Sequence, residues 1–382
     1  MTRFLSRRIV VGLVSLFVFT FVMFWLVESL IPGDFFTPFR LGMSQQEVDA
    51  LRAEYGVDQP LVVRWWRWLV GLADGGLGVS TVGRGVSRQL ADVIAPTVFV
   101  FVAGLLLAYA IGRWLGRFTG WKRSPFSDGV TFTSIGISSL FPPFLGFVVT
   151  TFLAIRFRRM RTDIFGLTRR EIWADFPLTE NQVLVRMTIA VVGAAILAGL
   201  VAWAVWRVRR RRMPASLLVM VTAGLAGLAL SASGVFVQSA DLLFDAVLPL
   251  IAFTALAFGE FMLIMQTGMA GVLHDDFVLT ARAKGLSERA VRNRHAARNA
   301  SLAVVSRLAV SIPYLLTGLV IIERAVGWPG IGSFLFRAIE SQDIPVVIST
   351  LAVIGLMTMV VRIALDLALF TLDPRISRPV SS

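Results

Sequence analysis

The sequence predicts an all-α, polytopic membrane protein, and three observations carry this prediction. Hydrophobic residues make up 56% of the 382 residues and charged residues only 16%, far fewer than in an average soluble domain. The mean hydropathy of the whole chain is +0.75. The 37 basic residues outnumber the 24 acidic ones and stand in short clusters beside long uncharged windows, which is the pattern of membrane orientation signals.

Eight windows with almost no charge are long enough to form the membrane spans. An α-helix rises about 1.5 Å per residue, so roughly 20 residues cross the hydrocarbon, and each window reaches this length with its weakly polar flanks. One glutamate, Glu260, interrupts the sixth window. The windows are residues 9–27, 93–112, 129–155, 187–206, 213–240, 246–273, 308–322 and 344–361.

The first window is predicted to stay in the membrane as an N-terminal anchor helix over residues 1–31. Arg3, Arg7 and Arg8 precede it, as basic residues precede the apolar core of a secretory signal. The window is longer than such a core and lacks a small-residue cleavage site. We therefore expect the helix to be retained.

Counting eight crossings from a cytoplasmic N-terminus places both termini and most basic clusters in the cytoplasm. The five arginines in 207–212 favour two true crossings around them, a hairpin over residues 183–240. The positive-inside rule does not explain the arginine cluster in the external stretch 156–186. The predicted cytoplasmic segments are residues 1–8, 113–128, 207–212, 274–301 and the tail 377–382.

The predicted external segment, residues 32–95, is too long to serve only as a connection. It contains Trp65, Trp66 and Trp68 next to arginines, a pattern typical of an amphipathic stretch at the membrane interface. We favour an interfacial anchor over direct contact with a transported molecule.

Several function classes are excluded by what the sequence lacks. Cysteine is absent, which rules out disulfides, thiolate metal ligands and a cysteine nucleophile. His274 and His295 are too far apart for a zinc motif, so we predict no metal site. The sequence has no P-loop and no paired catalytic signature, so we predict neither an enzyme nor an ATP site. The net charge of +13 does not indicate a nucleic-acid partner, because the basic clusters flank apolar spans.

The polar segment between the sixth and seventh windows, residues 275–301, has the signals of two short helices. Asp275 and Asp276 suit a helix N-terminus, and Gly285 suits a left-handed helix end. Ser287 can cap a second helix that starts directly after it. The segment is rich in arginine, so we predict a cytoplasmic helix–turn–helix.

Three motifs follow one another in the last third of the chain. They are T-A-R-A-K-G-L-S-E at residues 280–288 with R-H-A and R-N-A after it at 294–296 and 298–300, V-G-W-P-G-I-G at 326–332, and L-D-P-R at 372–375. Together they resemble the coupling loop, the external turn and the chain end of the inner-membrane permeases of peptide, opine and nickel ABC importers. Weaker elements of the same pattern are I-P-G-D at 31–34 and G-G-L-G-V-S at 75–80. The resemblance is strong over residues 241–376, looser over 1–155, and lacking over 156–240.

This resemblance implies an ABC importer type I-like transmembrane domain over residues 96–376, a six-helix family core to which the pair 183–240 is an addition. It implies a second homologous permease subunit, two ABC ATPase subunits that hold the ATP and Mg²⁺, and an extracytoplasmic substrate-binding protein as partners. The complex would lie in the lipid of the bacterial inner membrane. Peptides are the expected cargo, and opines, nickel chelates and oligosaccharides are alternatives. Residues 266–271 depart from the family, because they lack the basic residue that often precedes the coupling helix.

The resemblance also assigns contact with an ATPase to one end of the segment 275–301. Small side chains at Ala281 and Ala283 would let the partner approach closely, with Phe277 on the face of Ala281 one turn away. Arg282 would point elsewhere, toward an acidic rim, and Gly285 would permit the turn. The predicted contact residues are Asp276, Phe277, Ala281, Arg282, Ala283, Lys284, Gly285 and Leu286.

Two charged sites lie within spans. An ionised Glu260 at mid-span costs roughly 2.5–3.5 kcal/mol on insertion scales, so it must have a reason to be there. It either lines a translocation path or pairs inside the helical bundle, and we favour pairing. Arg362 and Asp366 stand four residues apart in the last window and are predicted to form a structural ion pair.

Proline and glycine mark bends and a turn. Pro142, Pro143, Pro249 and Pro313 each remove a backbone donor within a window and are expected to kink it. Trp328, Pro329 and Gly330 form an external turn before a short helix over 331–340. The sequence leaves open whether this turn gates a pathway or only connects two helices.

A rival function from another class is a secondary transporter or channel that works without ATP. Such a protein would need neither the coupling segment nor an external docking surface. It would use an ion gradient to drive transport of its solute in liposomes that contain this chain alone.

Overall fold

The computed structural model describes residues 2–30, 44–55, 58–74, 76–80, 83–122, 124–210 and 213–372. Within these ranges the backbone is helical apart from turns and one isolated β-bridge between Val79 and Gly85. The prediction of an all-α fold is therefore confirmed. The I-P-G-D element at 31–34, the D-P-R ending at 373–375 and the tail 377–382 lie outside the described residues.

The helices alternate between long spans and short connecting elements. In chain order they are α1 (Thr2–Leu30), α2 (Gln45–Tyr55), α3 (Leu61–Ala73), α4 (Val86–Thr119), α5 (Pro125–Ser138), α6 (Pro142–Phe165), α7 (Arg169–Trp173), α8 (Glu180–Arg209), α9 (Ala215–Ala232), α10 (Phe236–Gly271), α11 (Asp276–Ala283), α12 (Glu288–Ala290), a π-helix (Val291–Ala296), α13 (Ala297–Val326), α14 (Ile331–Glu340) and α15 (Ile344–Leu372).

The described residues contain five helices that are long and apolar enough to cross a membrane, namely α1, α4, α8, α10 and α15. Two bent elements raise the number to seven: α5 with α6, and residues 288–326, where α13 turns by 61° near residue 309. The helix α9 is apolar but shorter. Seven of the eight predicted windows fall on these seven elements, whereas the window 213–240 covers the shorter helix α9 and the first residues of α10. The chain is therefore polytopic.

The window 129–155 is not one kinked helix, as predicted, but two helices at an angle of 101°. The chain breaks between Ser138 and Pro142, and α6 begins with both prolines in its first turn. Proline suits this position because the first helical N–H groups have no partner within the helix. Ser138 fixes the break against α10: its hydroxyl accepts from Gly259 N (3.0 Å) and donates to Ala255 O (3.2 Å).

The centre of the fold is the contact between α4 and α10, which a stripe of small residues makes possible. Gly104, Ala108, Gly112, Gly116 and Gly120 recur at every fourth position of α4 and its C-cap. An ideal Cβ on Gly112 would lie 2.7 Å from the carbonyl oxygen of the residue at 258, so the two backbones touch. Small residues at this spacing allow such packing in membrane helices. The role of this stripe in packing α4 against α10 is not among the predictions from the sequence.

The main apolar core surrounds this contact and is shared by four spans. It contains Phe101 of α4, Leu145 of α6, Phe253 of α10 and Leu316 of α13, all nearly inaccessible. A second cluster joins α1, α3, α14 and α15. The pair α8 and α9 packs against the start of α10 through a third, smaller cluster.

The tryptophans of α3 pack on the protein more than the interfacial prediction implies. Trp65 is buried and contacts Phe17 and Phe21 of α1 edge-on, with ring centroids 4.8 and 5.1 Å apart. The indole of Trp68 donates to Ser349 of α15 (3.2 Å). Only Trp66, which is 55% exposed, is left for the membrane interface.

Two arginines of the cluster in 156–186, Arg161 and Arg169, have a structural explanation. Arg161 of α6 pairs with Asp241 (3.3 Å) and Asp245 (3.1 Å) at the start of α10. Arg169 also pairs with Asp245, and the indole of Trp173 donates to Asp241 (2.8 Å). The Asp241 side chain is fully buried. These arginines therefore neutralise acidic residues of another helix, and for that reason they do not obey an orientation rule.

The predicted pair of Arg362 with Asp366 is replaced by a longer-range contact. Asp366 of α15 pairs with Arg8 of α1 (3.2 Å), which ties the first and last spans together. At the other end of α15, the Ser80 hydroxyl donates to Asp343, and Ser349 donates to Leu77 O (2.7 Å). The G-G-L-G-V-S element thus docks onto the start of the last span.

Candidate coupling segment and transport face

The segment after α10 forms the predicted helix–turn–helix. The helix α11 ends at Ala283 with Lys284 as its C-cap, and Gly285 adopts the left-handed conformation with φ of +72°. The Ser287 hydroxyl then accepts from Ala290 N (3.4 Å), which caps α12. A π-helix follows and leads directly into α13, a feature that the sequence did not indicate.

One side of this segment belongs to the protein core. Val278, Ala281, Val291 and Ala296 are at most 5% exposed and pack in the same cluster as α10 and α13. The prediction that Ala281 offers its small side chain to a partner is therefore wrong for this chain. Its methyl group instead lets α11 lie close to its own core.

The other side of the segment is open, and most of the predicted contact residues lie on it. Ala283 and Gly285 are exposed, and so are the large apolar side chains Phe277 (37%), Leu279 (50%) and Leu286 (41%). Asp276 and Lys284 are exposed beside them. We call this exposed part of the segment, residues 276–286, the knuckle. It has small residues at its turn and apolar residues around them.

Arg282 was predicted to point toward an acidic rim of a partner. In the structure it contacts residues of its own chain instead. Its guanidinium donates to Glu288 of the same segment (2.9 Å) and lies 5.4 Å from the ring centroid of Trp121. Trp121 belongs to the turn between α4 and α5. Arg282 thus fixes the knuckle to a neighbouring loop.

Glu260 pairs, as favoured, but at an open face of the bundle and not inside it. Its carboxylate accepts from Arg307 Nε (3.0 Å) and from the Ser311 hydroxyl (2.7 Å), both on α13. The Arg307 side chain is 56% exposed and the Glu260 side chain 28% exposed. The sequence does not indicate Arg307 as the partner, because it stands 47 residues after Glu260 and directly before the window 308–322.

The turn at the far end of α13 is held by a buried carboxylate that sequence reasoning also missed. Glu323 is inaccessible, and its side chain accepts from Gly332 N (2.7 Å). The backbone carbonyl of Glu323 accepts from Trp328 N (2.9 Å), and the Trp328 indole donates to Pro96 O (3.2 Å). The sequence feature that could have indicated this buried carboxylate is the position of Glu323 directly after the uncharged window 308–322.

Two glycines of this turn are required by close contact. A Cβ on Gly330 would overlap the Glu323 carboxylate, and one on Gly332 would overlap the carbonyl of Val320. Trp328 is 4% exposed, while Pro329 is exposed at the surface. Beside the turn lies a cavity of about 400 Å³ whose wall includes Trp328, Pro329, Arg161 and Asp245.

Metal chemistry has no support in the part of the chain that the structure describes. No group of three or more histidine, aspartate or glutamate side chains is close enough there to hold a metal ion.

Comparison with known proteins identifies the family. Residues 184–378 match the family described as binding-protein-dependent transport system inner membrane component, and residues 1–84 match its N-terminal domain. A protein of Brucella ovis named as a peptide permease is 30% identical over 98% of this chain and 99% of its own length. The glutathione transport system permease protein GsiC of Salmonella typhimurium is 24% identical over 98% of this chain and 99% of its own length.

These matches agree with the motifs in the knuckle and the external turn, and with the apolar spans. They indicate a multi-pass protein of the bacterial inner membrane that works within a binding-protein-dependent transport complex. The chain therefore belongs to the family of inner-membrane permease components of binding-protein-dependent ABC transport systems.

Proposed function

We propose that this chain forms half of the translocation pathway of an ATP-driven peptide importer. A second homologous permease supplies the other half, and an extracytoplasmic binding protein delivers the cargo. Two ATPase subunits bind on the cytoplasmic side, where both termini of this chain lie. The chain itself does no catalysis, and ATP and Mg²⁺ bind to the ATPase subunits.

The observation that carries this proposal is the exposed knuckle between α10 and α13. Small and apolar side chains there, among them Ala283 and Leu286, remain uncovered in a segment whose other side is packed in the core. A partner that binds the knuckle can displace two spans at once, because α10 enters it and α13 leaves it. The basic residues around the knuckle support a cytoplasmic position.

The names of the relatives support peptides as the cargo. The Brucella ovis relative and a Sinorhizobium fredii relative, 26% identical over 98% of this chain, are both named as peptide permeases. Glutathione, the cargo in the name of the Salmonella relative, is itself a small peptide.

Crosslinking to an ATPase subunit tests the position of the knuckle, and the absence of native cysteines makes the experiment clean. Ala283→Cys is expected to form a disulfide with one of a set of single cysteines placed along the facing groove of the co-expressed ATPase. Ala281→Cys is the matched control, two residues away but buried, and is expected to stay unlinked. If Ala283→Cys fails at every groove position, the proposed contact is wrong.

Gly285→Val is expected to break the coupling between the permease and its ATPase subunits, so that receptor-stimulated ATP hydrolysis and uptake both fall. The left-handed φ of +72° strains a β-branched residue, although the space around Gly285 is open. Gly285→Asn is the control, because asparagine tolerates this conformation. In proteoliposomes containing the complete complex, the valine variant should assemble but lose receptor-stimulated ATP hydrolysis, and the asparagine variant should keep most of it. Normal uptake by the valine variant would contradict the role of the turn.

A further inference from the structure

Arg307 lies on a face of α13 that no other described element covers. Its side chain is 56% exposed, and the exposed residues Val310 (60%) and Tyr314 (56%) follow it beyond the bend near residue 309. Glu260 of α10 lies beside it and is partly open. A guanidinium and a carboxylate thus lie together on an uncovered face of two membrane spans.

This face lies within the membrane-spanning part of α10. On α10, Glu260 is equally distant in sequence from the nearest charged residues on either side, Asp245 and Asp275. Asp245 is about 22 Å away along α10, which rises about 1.5 Å per residue, and Asp275 follows the end of this helix. The uncharged stretches 246–259 and 261–274 on either side of Glu260 each extend about 21 Å as a helix, which is less than the roughly 30 Å hydrocarbon layer. A crossing by α10 therefore includes Glu260, and the Arg307 guanidinium that pairs with it lies beside this span.

Lipid is a poor cover for such a face. Charged side chains within membrane spans almost always point into a bundle or a water-filled cavity, because hydrocarbon offers them no hydrogen bonds. Pairing with Glu260 reduces the cost for Arg307 but satisfies only its Nε among the described contacts. The two terminal nitrogens of Arg307 keep their donors for a further partner.

We propose that Arg307 contacts the carboxylate of the peptide as it passes through the pathway. The proposal rests on the proposed function, since it assigns a cargo-binding residue within that pathway. The terminal nitrogens of an arginine match the two oxygens of a carboxylate, and every unmodified peptide carries one at its C-terminus.

Glu260 has a defined part in this arrangement. Its carboxylate accepts from Arg307 Nε, which fixes the guanidinium, and its negative charge weakens the attraction that an unpaired guanidinium would exert on an anion. A site within a transport pathway must bind strongly enough to admit the cargo and weakly enough to release it. The ion pair meets both requirements, so Glu260 is a positioning residue and Arg307 the contact.

The first test compares uptake of a peptide and of its C-terminal amide by the complete complex in proteoliposomes. Arg307→Gln should lower ATP-driven uptake of the free peptide by about tenfold relative to the amide, the factor for a lost hydrogen bond between charged groups. The preference of the binding protein for peptide or amide does not affect this comparison, because the variant and the wild type use the same binding protein. The double variant Glu260→Gln/Arg307→Gln, which leaves no unpaired charge, should show the same loss of preference.

The second test needs no transport. Arg307→Cys should react in the assembled complex with a charged, membrane-impermeant thiol reagent, since only a hydrated thiol ionises to the reactive thiolate. Saturating peptide should slow this reaction. Leu200→Cys is the control, because Leu200 is 56% exposed on the uncharged part of α8 and should stay unlabelled.

The outcomes separate this proposal from the function on which it rests. Wild-type complex that imports no peptide with ATP would contradict the proposed function. Import by the wild type together with an unchanged preference in Arg307→Gln, or labelling at 307 as slow as at 200, would overturn the role of Arg307 alone. Loss of the second permease from both charge variants would instead make Arg307 a subunit contact and would also overturn it.

Discussion

Arg161→Met is expected to lower the free energy of unfolding by about 3 kcal/mol, because it leaves a buried carboxylate without its closest cation. Asp241 is fully inaccessible and lies 3.3 Å from Arg161. The value is at the lower end for broken buried pairs, since Trp173 still donates to Asp241 and Arg169 remains 3.9 Å away. Denaturant titration of the purified permease in detergent measures the change.

The matched control for this variant is Arg324→Met. Arg324 pairs with Glu340 (2.6 Å), but the two side chains are 43% and 57% exposed, so solvent replaces the lost contact. We expect a change below about 1 kcal/mol. Adding Asp241→Asn to Arg161→Met should restore part of the stability, because it removes the orphaned charge. Equal effects of the two arginine substitutions would show that burial of Asp241 does not matter.

Gly116→Ala should destabilise the protein by about 1 to 3 kcal/mol through overpacking. A Cβ at this position would lie 2.7 Å from the Cβ of Met265 and still closer to the carbonyl oxygen of Met262. Both atoms belong to the backbone region of α10, so relief requires the helices α4 and α10 to separate. We expect a lower midpoint of thermal unfolding in detergent.

Gly193→Ala tests whether this effect comes from the helix contact or from helix propensity. Gly193 lies within α8, and a Cβ there would have nothing within 4 Å. Alanine is a better helix former than glycine by up to about 1 kcal/mol, so this variant should be neutral or more stable. The two substitutions are thus expected to have opposite signs, and a loss of the same size at both sites would refute the role of the glycine stripe.

Local features of the chain could be predicted from sequence because they depend on neighbouring residues. Windows with almost no charge mark the seven spanning elements, since the length of an apolar run decides whether a helix crosses a membrane. The turn at Gly285 and the cap at Ser287 follow from the conformations that glycine and serine favour. The family motifs led to the permease assignment, which the comparisons confirm.

Features that depend on distant contacts could not be predicted in this way. The partner of Asp366 is Arg8, and no local spacing indicates a residue at the other end of the chain. Prolines in the window 129–155 indicate a kink, but the turn of 101° depends on how Ser138 meets α10. The exposure of Ala281 was predicted wrongly because helical periodicity shows that a face exists but not which neighbour covers it.

One further consequence follows from the burial of the inner side of the coupling segment. Val278, Ala281, Val291 and Ala296 are anchored in the same core as two spans, so the segment cannot shift without opening that core. The segment therefore resists bending when a force acts on it. A displacement imposed at Ala283 would reach the transmembrane helices with little loss to local bending, and short strokes would suffice to move them.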